Sequence, residues 1–521
     1  MINKKTTSEN RRILQIAVPS IISNITVPLL GLIDVTIVGH LGSPAYIGAI
    51  AVGGMLFNII YWIFGFLRMG TSGMTSQAYG QHDLNEINRL LIRSVGVGLF
   101  IALCLLILQY PILNAAFTLI QTTEEVKQLA TTYFYICIWG APAMLGLYGF
   151  AGWFIGMQNS RFPMYIAITQ NIVNIIASLS FVYLLDMKVA GVAAGTLIAQ
   201  YAGFFMAILL YMRYYSTLRK RIVWKDIIQK QAMYRFFRVN RDIFFRTLCL
   251  VIVTMFFTSA GAAQGEVVLA VNTLLMQLFT LFSYIMDGFA YAGEALAGRY
   301  IGARNQTALR NTVNHLFYWG IGLSAAFTLL YAIGGKGFLG LLTNDVSVIS
   351  ASDTYFYWAL AIPLTGFSAF LWDGVFIGAT ATRQMLYSML FVCYFPGSSP
   401  NIEIINPGFN GKEMSTYEII HNHYPEENLY TDIGTLDIAK VHENGAYYDT
   451  AEPLEDKNMY LRMLDASGEE MQRTSNYLST SHTKQPSKGR SSNTKQQTED
   501  GQPNFYVDST YLVPRTSMKK Q

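Results

Sequence analysis

Up to Phe395 the chain alternates long apolar stretches with short polar turns; beyond it the sequence is polar throughout. A helix crosses a bilayer with ~20 mostly apolar residues. Ten stretches meet that length, near 13–39, 47–75, 90–113, 133–156, 164–185, 190–212, 247–263, 267–297, 314–335 and 355–379. An eleventh starts near Met385 and stops at Phe395, too short to cross. Helices of a soluble core would be shorter and amphipathic. The reading is an all-α polytopic membrane protein with a polar tail.

The apolar part repeats. Phe154-Ile155-Gly156 and Phe376-Ile377-Gly378 each close a long apolar run, each with an Arg seven residues after its Phe, Arg161 and Arg383. The offset is 222 residues, and it also relates Gly80 to Gly302. Ala51-Val52 and Ala270-Val271 repeat at a nearly equal spacing of 219. A doubled set of membrane helices implies two homologous bundles and alternating-access transport. The predicted division is a six-helix bundle over 1–212, a basic link over 213–246, an incomplete second bundle over 247–395 and a tail over 396–521. The repeat demands partners for 164–212 near 386–434, where Pro396-Gly397-Ser398-Ser399-Pro400 and Glu413-Met414-Ser415-Thr416-Tyr417-Glu418 cannot span a bilayer. The last two helices are expected to be missing.

Charge separates the same two parts. The 521 residues are 52% hydrophobic and 13% charged, with a formal charge of +4. Residues 1–395 hold 25 Lys and Arg against 15 Asp and Glu, a net of +10; the remainder holds 12 against 18, a net of −6. With the N-terminus cytoplasmic, the inside segments carry Lys4, Lys5, Arg11, Arg12, Arg89, Arg93, Arg161, Arg299, Arg304, Arg310, Arg383 and the ten basic residues of the link. The outside loops carry Lys127, Lys188 and Lys336. This bias places the N-terminus, the link and the tail in the cytoplasm and suits a plasma (inner) membrane protein. Met1–Arg12 lacks a signal-peptide core, so the first helix serves as its own signal. Topology and contact with anionic lipid account for the basic link without nucleic acid. Cys104, Cys137, Cys249 and Cys393 sit in apolar runs with no metal or disulfide spacing. Phosphate loops, zinc-protease motifs and nucleophile elbows are absent from the sequence. Neither an enzyme nor a cofactor is expected, and an ion gradient would supply the energy.

A charge inside a bilayer costs at least ~2.5 kcal/mol, so each one is a functional candidate. Asp34 lies in an apolar run with no basic residue near it on its own helix, which suits exchange of a proton or another cation. A structural carboxylate paired from another helix is the plainer alternative. Pro19 and Pro28 interrupt the same helix, each removing a backbone hydrogen bond and permitting a bend. Asn174 is placed to hydrogen-bond toward Asp34, or to act as interhelical glue. The repeat at 219 equates Arg68 with Asp287. Glu294, seven residues after Asp287, shares its helix face; Arg299 and Asp373 complete an expected charge network holding the bundles together. Met and aromatic content suits a cavity for flat, apolar or cationic ligands, and is also ordinary membrane-helix filler.

Three segments resemble the multidrug and toxic compound extrusion (MATE) family in its DinF-like branch. They are Pro28–Gly42, the stretches Asn240–Thr247, Leu269–Gln277 and Asp287–Ala295, and Trp372–Thr380. The resemblance covers about residues 8–395 and implies a twelve-helix, two-bundle exporter of organic cations and other amphipathic toxic compounds, driven by proton or sodium entry. The family's first-helix carboxylate binds the coupling ion, and Asp34 matches it. In some archaeal members an Asn and an Asp four residues later on helix five complete the proton site. Asn174 matches the Asn, but Ser178 stands where the Asp would be.

The tail from 396 is rich in Ser, Thr, Asn, Gln and charge, especially over 476–502, a composition that does not fold alone. Tyr417, Tyr430, Tyr460 and Tyr511 each precede an apolar residue or proline by three, resembling motifs read by phosphotyrosine-binding or adaptor proteins. Such motifs are short and recur by chance, and a fusion or a gene-model error is the plainer reading of the tail. The expected function is ion-coupled export by a monomer of small amphipathic or cationic molecules. Alternatives are a lipid-precursor flippase on the same plan, or a transport-inactive membrane scaffold whose tail recruits cytosolic proteins.

Overall fold

The computed structural model describes residues 2–41, 43–120, 122–219, 227–343, 345–394, 447–449 and 462–464. The chain divides into two compact units, Met1–Lys412 and Glu413–Gln521. In the second, strands β1 (Tyr447–Asp449) and β2 (Arg462–Leu464) pair antiparallel, with Tyr447 opposite Leu464. The tyrosines at 417, 430, 460 and 511, the tail's expected disorder and the expected loss of two helices all fall outside the described residues.

The first unit is all helical over its described residues. Helices α1 (Ile2–Gly39), α2 (Pro44–Phe64), α3 (Phe66–Gly80), α4 (Leu84–Ile107), α5 (Gln109–Leu119), α6 (Glu124–Cys137), α7 (Ala141–Gly156), α8 (Arg161–Leu179), α9 (Lys188–Tyr214) and α10 (Ser216–Arg219) build its first half. Helices α11 (Lys230–Ala263), α12 (Glu266–Gly302), α13 (Gln306–Leu342), α14 (Val346–Gly378) and α15 (Thr382–Tyr394) follow. Nine helical stretches among the described residues are long and apolar enough to cross a membrane, and the 38-residue α1 contains the first predicted span. Trp153, Phe134 and Phe154 are fully enclosed in the core of the first half, and the Trp153 indole donates to the Ile87 carbonyl at 2.8 Å.

The repeat is written into the backbone. His82 and Arg304, with φ of 58° and 55°, and Gln158 and Thr380, with φ of 64° and 52°, take left-handed conformations 222 residues apart. The next residues cap helices in the same relation: Asp83 accepts from the Asn85 and Glu86 amides, and Asn305 from the Ala308 amide. The packing repeats too. A Cβ on Gly152 would overlap the Arg68 carbonyl, and one on Gly374 the Ala290 carbonyl. Where the halves meet, the relation is reciprocal: a Cβ on Gly80 would strike the Arg299 carbonyl and one on Gly302 the Gln77 carbonyl. Only hydrogen fits at these crossings, so backbones of opposite halves touch. Gln77 Nε2 donates to the Gly378 carbonyl at 2.9 Å and Gln158 Nε2 to the Ala295 carbonyl at 2.7 Å across the same seam.

Two sequence expectations change. The contacts of Gly152 and Gly374 fix the local register at 222, which equates Arg68 with Ala290. Arg68 and Asp287 are therefore not equivalent: the second half gains three residues between Ala270 and Ala290, close to one helical turn. The segment 213–246 is not a single link. Helix α11 begins at Lys230, because Phe236, Val239, Asn240, Asp242 and Ile243 form a buried face packed on α3 and α15.

Candidate functional site

Asp34 sits near the end of α1 that lies away from the basic segments and is buried, with 3% of its surface exposed. Its partner comes from α9. The Thr196 hydroxyl donates to Asp34 Oδ2 at 3.3 Å, and Asn174 Nδ2 on α8 donates to Thr196 Oγ1 at 3.0 Å. The chain Asn174–Thr196–Asp34 thus holds the carboxylate through neutral groups. Asp34 Oδ1, Asn174 Oδ1 and Ser178 Oγ have no hydrogen-bond partner among the described residues. Ser178 lies one turn beyond Asn174 and beside the glycine before Thr196, since a Cβ on Gly195 would overlap its hydroxyl. A buried carboxylate oxygen without donor or cation is costly, and a bound proton or small cation removes that cost. Thr196 gave no signal in the sequence, because one Thr in an apolar run is unremarkable until α8 and α9 pack together.

Helix α1 stays unbroken through Pro19 and Pro28. Pro19 cannot donate to the Gln15 carbonyl, and Ser160 makes up the deficit, donating to the Gln15 and Ile16 carbonyls at 3.3 and 2.9 Å. Near Pro28, Asn24 Nδ2 donates to the Tyr284 carbonyl of α12 at 3.4 Å. The far end of α1 is tied to the second half: Glu9 meets Arg12 at 2.7 Å and Thr312 at 3.3 Å, and Tyr300 donates to Glu9 at 3.2 Å. The helix that carries Asp34 therefore contacts both halves along its length.

A second polar region lies between the halves. Arg68 of α3 reaches Glu294 of α12 at 3.5 Å, and its guanidinium lies 4.3 Å from the Tyr291 ring centroid. Arg246 of α11 forms an ion pair with Asp373 of α14. Asp287 is partly exposed on the α12 face shared with Tyr291 and Glu294. Arg299 lies apart, stacked 5.5 Å over the Tyr79 ring at the basic end. Arg246 and Tyr291 were missed as members of this cluster: Arg246 reads as one more basic residue of the link, and Tyr291 as one aromatic among many. Among the described residues no group of three His, Cys, Asp or Glu is placed to hold a metal.

The MatE family model matches residues 19–180 and 243–396. DNA damage-inducible protein F of Escherichia coli is 35% identical over 392 residues, covering 74% of this chain and 83% of that protein. A probable multidrug resistance protein, NorM of Photorhabdus laumondii, is 20% identical over 397 residues, covering 75% and 86%. A crystal structure of MATE in the bent conformation superposes with a TM-score of 0.65 at 18% identity, covering 80% of this chain and 92% of that one. The doubled helical bundle, the intramembrane carboxylate and these matches agree: the chain belongs to the MatE family of multidrug and toxic compound extrusion transporters and is an integral membrane transporter of small molecules, not an enzyme.

Proposed function

We propose that the protein is a monomeric secondary antiporter of the plasma (inner) membrane, with N-terminus and tail in the cytoplasm. It exports small amphipathic or cationic toxic compounds against entry of protons or sodium. The observation that carries this reading is the Asp34 carboxylate, buried, held by a neutral hydrogen-bond chain and left with one oxygen unpartnered among the described residues. Asn174 orients Thr196, and Thr196 orients Asp34. Occupied by a cation, the site becomes neutral and suits a packed interior; emptied, it favours a conformation that hydrates the carboxylate. Helix α1 transmits that preference, because Pro19 and Pro28 soften it while its Asp34 end is bonded to α9 of the first half and its Glu9 end to α13 of the second. The Arg68–Glu294 pair holds the halves together in the state described, and its mixed charge, with that of the Arg246–Asp373 pair inside the second half, favours export of organic cations over binding of a multiply anionic lipid precursor.

The test is ion-driven dye efflux from vesicles carrying the full chain. Asp34→Asn should abolish efflux while leaving protein in the membrane. A pH gradient without sodium, and a sodium gradient at constant pH, identify the coupling ion. Efflux by Asp34→Asn equal to the unmodified chain would reject the assignment.

A further inference from the structure

Helix α11 carries charge along one exposed face. Lys230, Tyr234, Phe237, Arg238, Arg241 and Phe245 recur at helical spacing, and all are exposed. Arg235 lies outside this stripe and reaches Gln77 Oε1 at 3.3 Å. Further along the helix the same face continues as Ile252, Met255 and Phe256, exposed and apolar. Along one line the surface passes from cations through aromatic rings to a purely apolar stretch. The acid of α11, Asp242, is buried.

A neighbouring helix widens the surface. Helix α15 packs on α11, and Thr382 Oγ1 at its start donates to Asp242 Oδ2 at 3.3 Å. That bond sets Arg383 near Arg238 and Arg241, which lie within about one turn of Asp242. Arg383 Nε donates to the Tyr387 hydroxyl at 2.9 Å, and both side chains are exposed. Arg241 shares the Asp242 carboxylate, its Nε and Nη2 lying 3.2 and 3.0 Å from Oδ1. Lys230 and Arg238 make no hydrogen bond or ion pair among the described residues. Helices α2, α3 and α15 all pack on α11 and contain no acidic residue. The first half differs at the matching place: Ser160, 222 residues before Thr382, donates to backbone carbonyls of α1, and no charged side chain enters that bond.

We propose that this face of α11, with Arg383 and Tyr387 of α15, docks an anionic phospholipid of the leaflet at the basic end. The phosphate meets Arg238 and Arg383, the aromatic rings lie at headgroup depth, and the acyl chains run along Ile252, Met255 and Phe256. Charge selects an anionic lipid over a zwitterionic one. The continuous apolar run selects a lipid over a soluble anion. Because the phosphate touches both helices, occupancy adds a second tie between α11 and α15 beside the Thr382–Asp242 bond. This inference rests on membrane insertion and on neither the coupling ion nor the exported compound.

Thermal unfolding of the full chain in detergent micelles tests it, with dioleoylphosphatidylglycerol or dioleoylphosphatidylcholine added at rising mole fraction. The anionic lipid should raise the unfolding temperature saturably, with half-saturation at a fraction about tenfold lower than the zwitterionic lipid needs. Arg238→Gln with Arg383→Gln should weaken the anionic lipid about tenfold or more, since each basic residue near the headgroups contributes about fivefold. Arg238→Lys with Arg383→Lys keeps the charge and should stay within about threefold. Arg161→Gln with Arg310→Gln removes equal exposed charge elsewhere and should leave the lipid response unchanged. A second measurement reads what covers the face. Tyr234→Cys should react with a soluble maleimide, beyond the labelling of the unmodified chain, in phosphatidylcholine nanodiscs, and phosphatidylglycerol should protect it. The proposal is overturned by an equal response to both lipids, by the Gln pair binding as the unmodified chain does, or by the Arg161 and Arg310 pair weakening the lipid as much. Protection of Tyr234→Cys in phosphatidylcholine alone also overturns it, giving the face to the acidic segment 396–521 or to a second copy of the chain.

Discussion

Asp34 and Asp373 are both carboxylates set into membrane helices, yet their surroundings differ in kind. Asp34 is held by a hydroxyl, itself held by an amide, and no positive charge pairs with it among the described residues. Asp373 is paired with Arg246, and nearby Glu294 with Arg68. Neutral partners orient a carboxylate without fixing its charge, so ion uptake remains a large change there. A guanidinium fixes the charge and the geometry together. The first arrangement suits an exchanger and the second a clamp.

Breaking the clamp should give the largest effect on stability. Arg246→Met leaves Asp373 without its counter-ion in a low-dielectric cluster, at a cost of about 3–5 kcal/mol. The double variant Arg246→Met with Asp373→Asn should recover most of that loss, measured by thermal unfolding in detergent. Asp34→Asn in the same assay should be near neutral, because it removes an uncompensated charge. If Asp34→Asn destabilised as much as Arg246→Met, Asp34 would belong with the clamp and the contrast would be lost.

The seam offers a middle-sized effect. A Cβ on Gly302 would overlap the Gln77 carbonyl, a backbone atom that cannot rotate away. Gly302→Ala should therefore wedge the halves apart at the basic end by a few tenths of an ångström or more and cost about 1–3 kcal/mol. Its readout is the labelling rate of a cysteine placed at Gln158, whose amide crosses the seam to Ala295. Faster labelling with Asp34 untouched would show that closure depends on the seam and not on the ion site.

How much of this was legible in the sequence follows from range. Spans were legible because a bilayer imposes ~20 apolar residues locally. Asp34 was legible because a single charge in such a run stands out. The early start of α11 was not, since its exposed side carries Lys230, Arg235, Arg238 and Arg241, and these mask the buried stripe of Phe236, Val239 and Ile243. The register near Arg68 was misplaced by three residues because a short dipeptide match at 219 carries less weight than three-dimensional contacts at 222. The partners Thr196 and Arg246 were invisible for a common reason: each acquires its role only when a distant helix docks against it.

Thr196 gives the smallest and most discriminating test. Thr196→Val keeps the shape of the side chain and removes the hydroxyl that joins Asn174 to Asp34. Losing one hydrogen bond to a charged acceptor is worth about 1.5–3 kcal/mol when that acceptor is ionised and less when it is neutral. Coupled efflux should slow by roughly tenfold without vanishing, because Asp34 itself remains, and the ion concentration giving half-maximal rate should shift. Thr196→Ser keeps the hydroxyl and should restore the rate. A Thr196→Val protein whose ion dependence matches the unmodified chain would mean that Asp34 needs no oriented neutral partner, and the difference drawn between exchanger and clamp would then reduce to the presence or absence of an arginine.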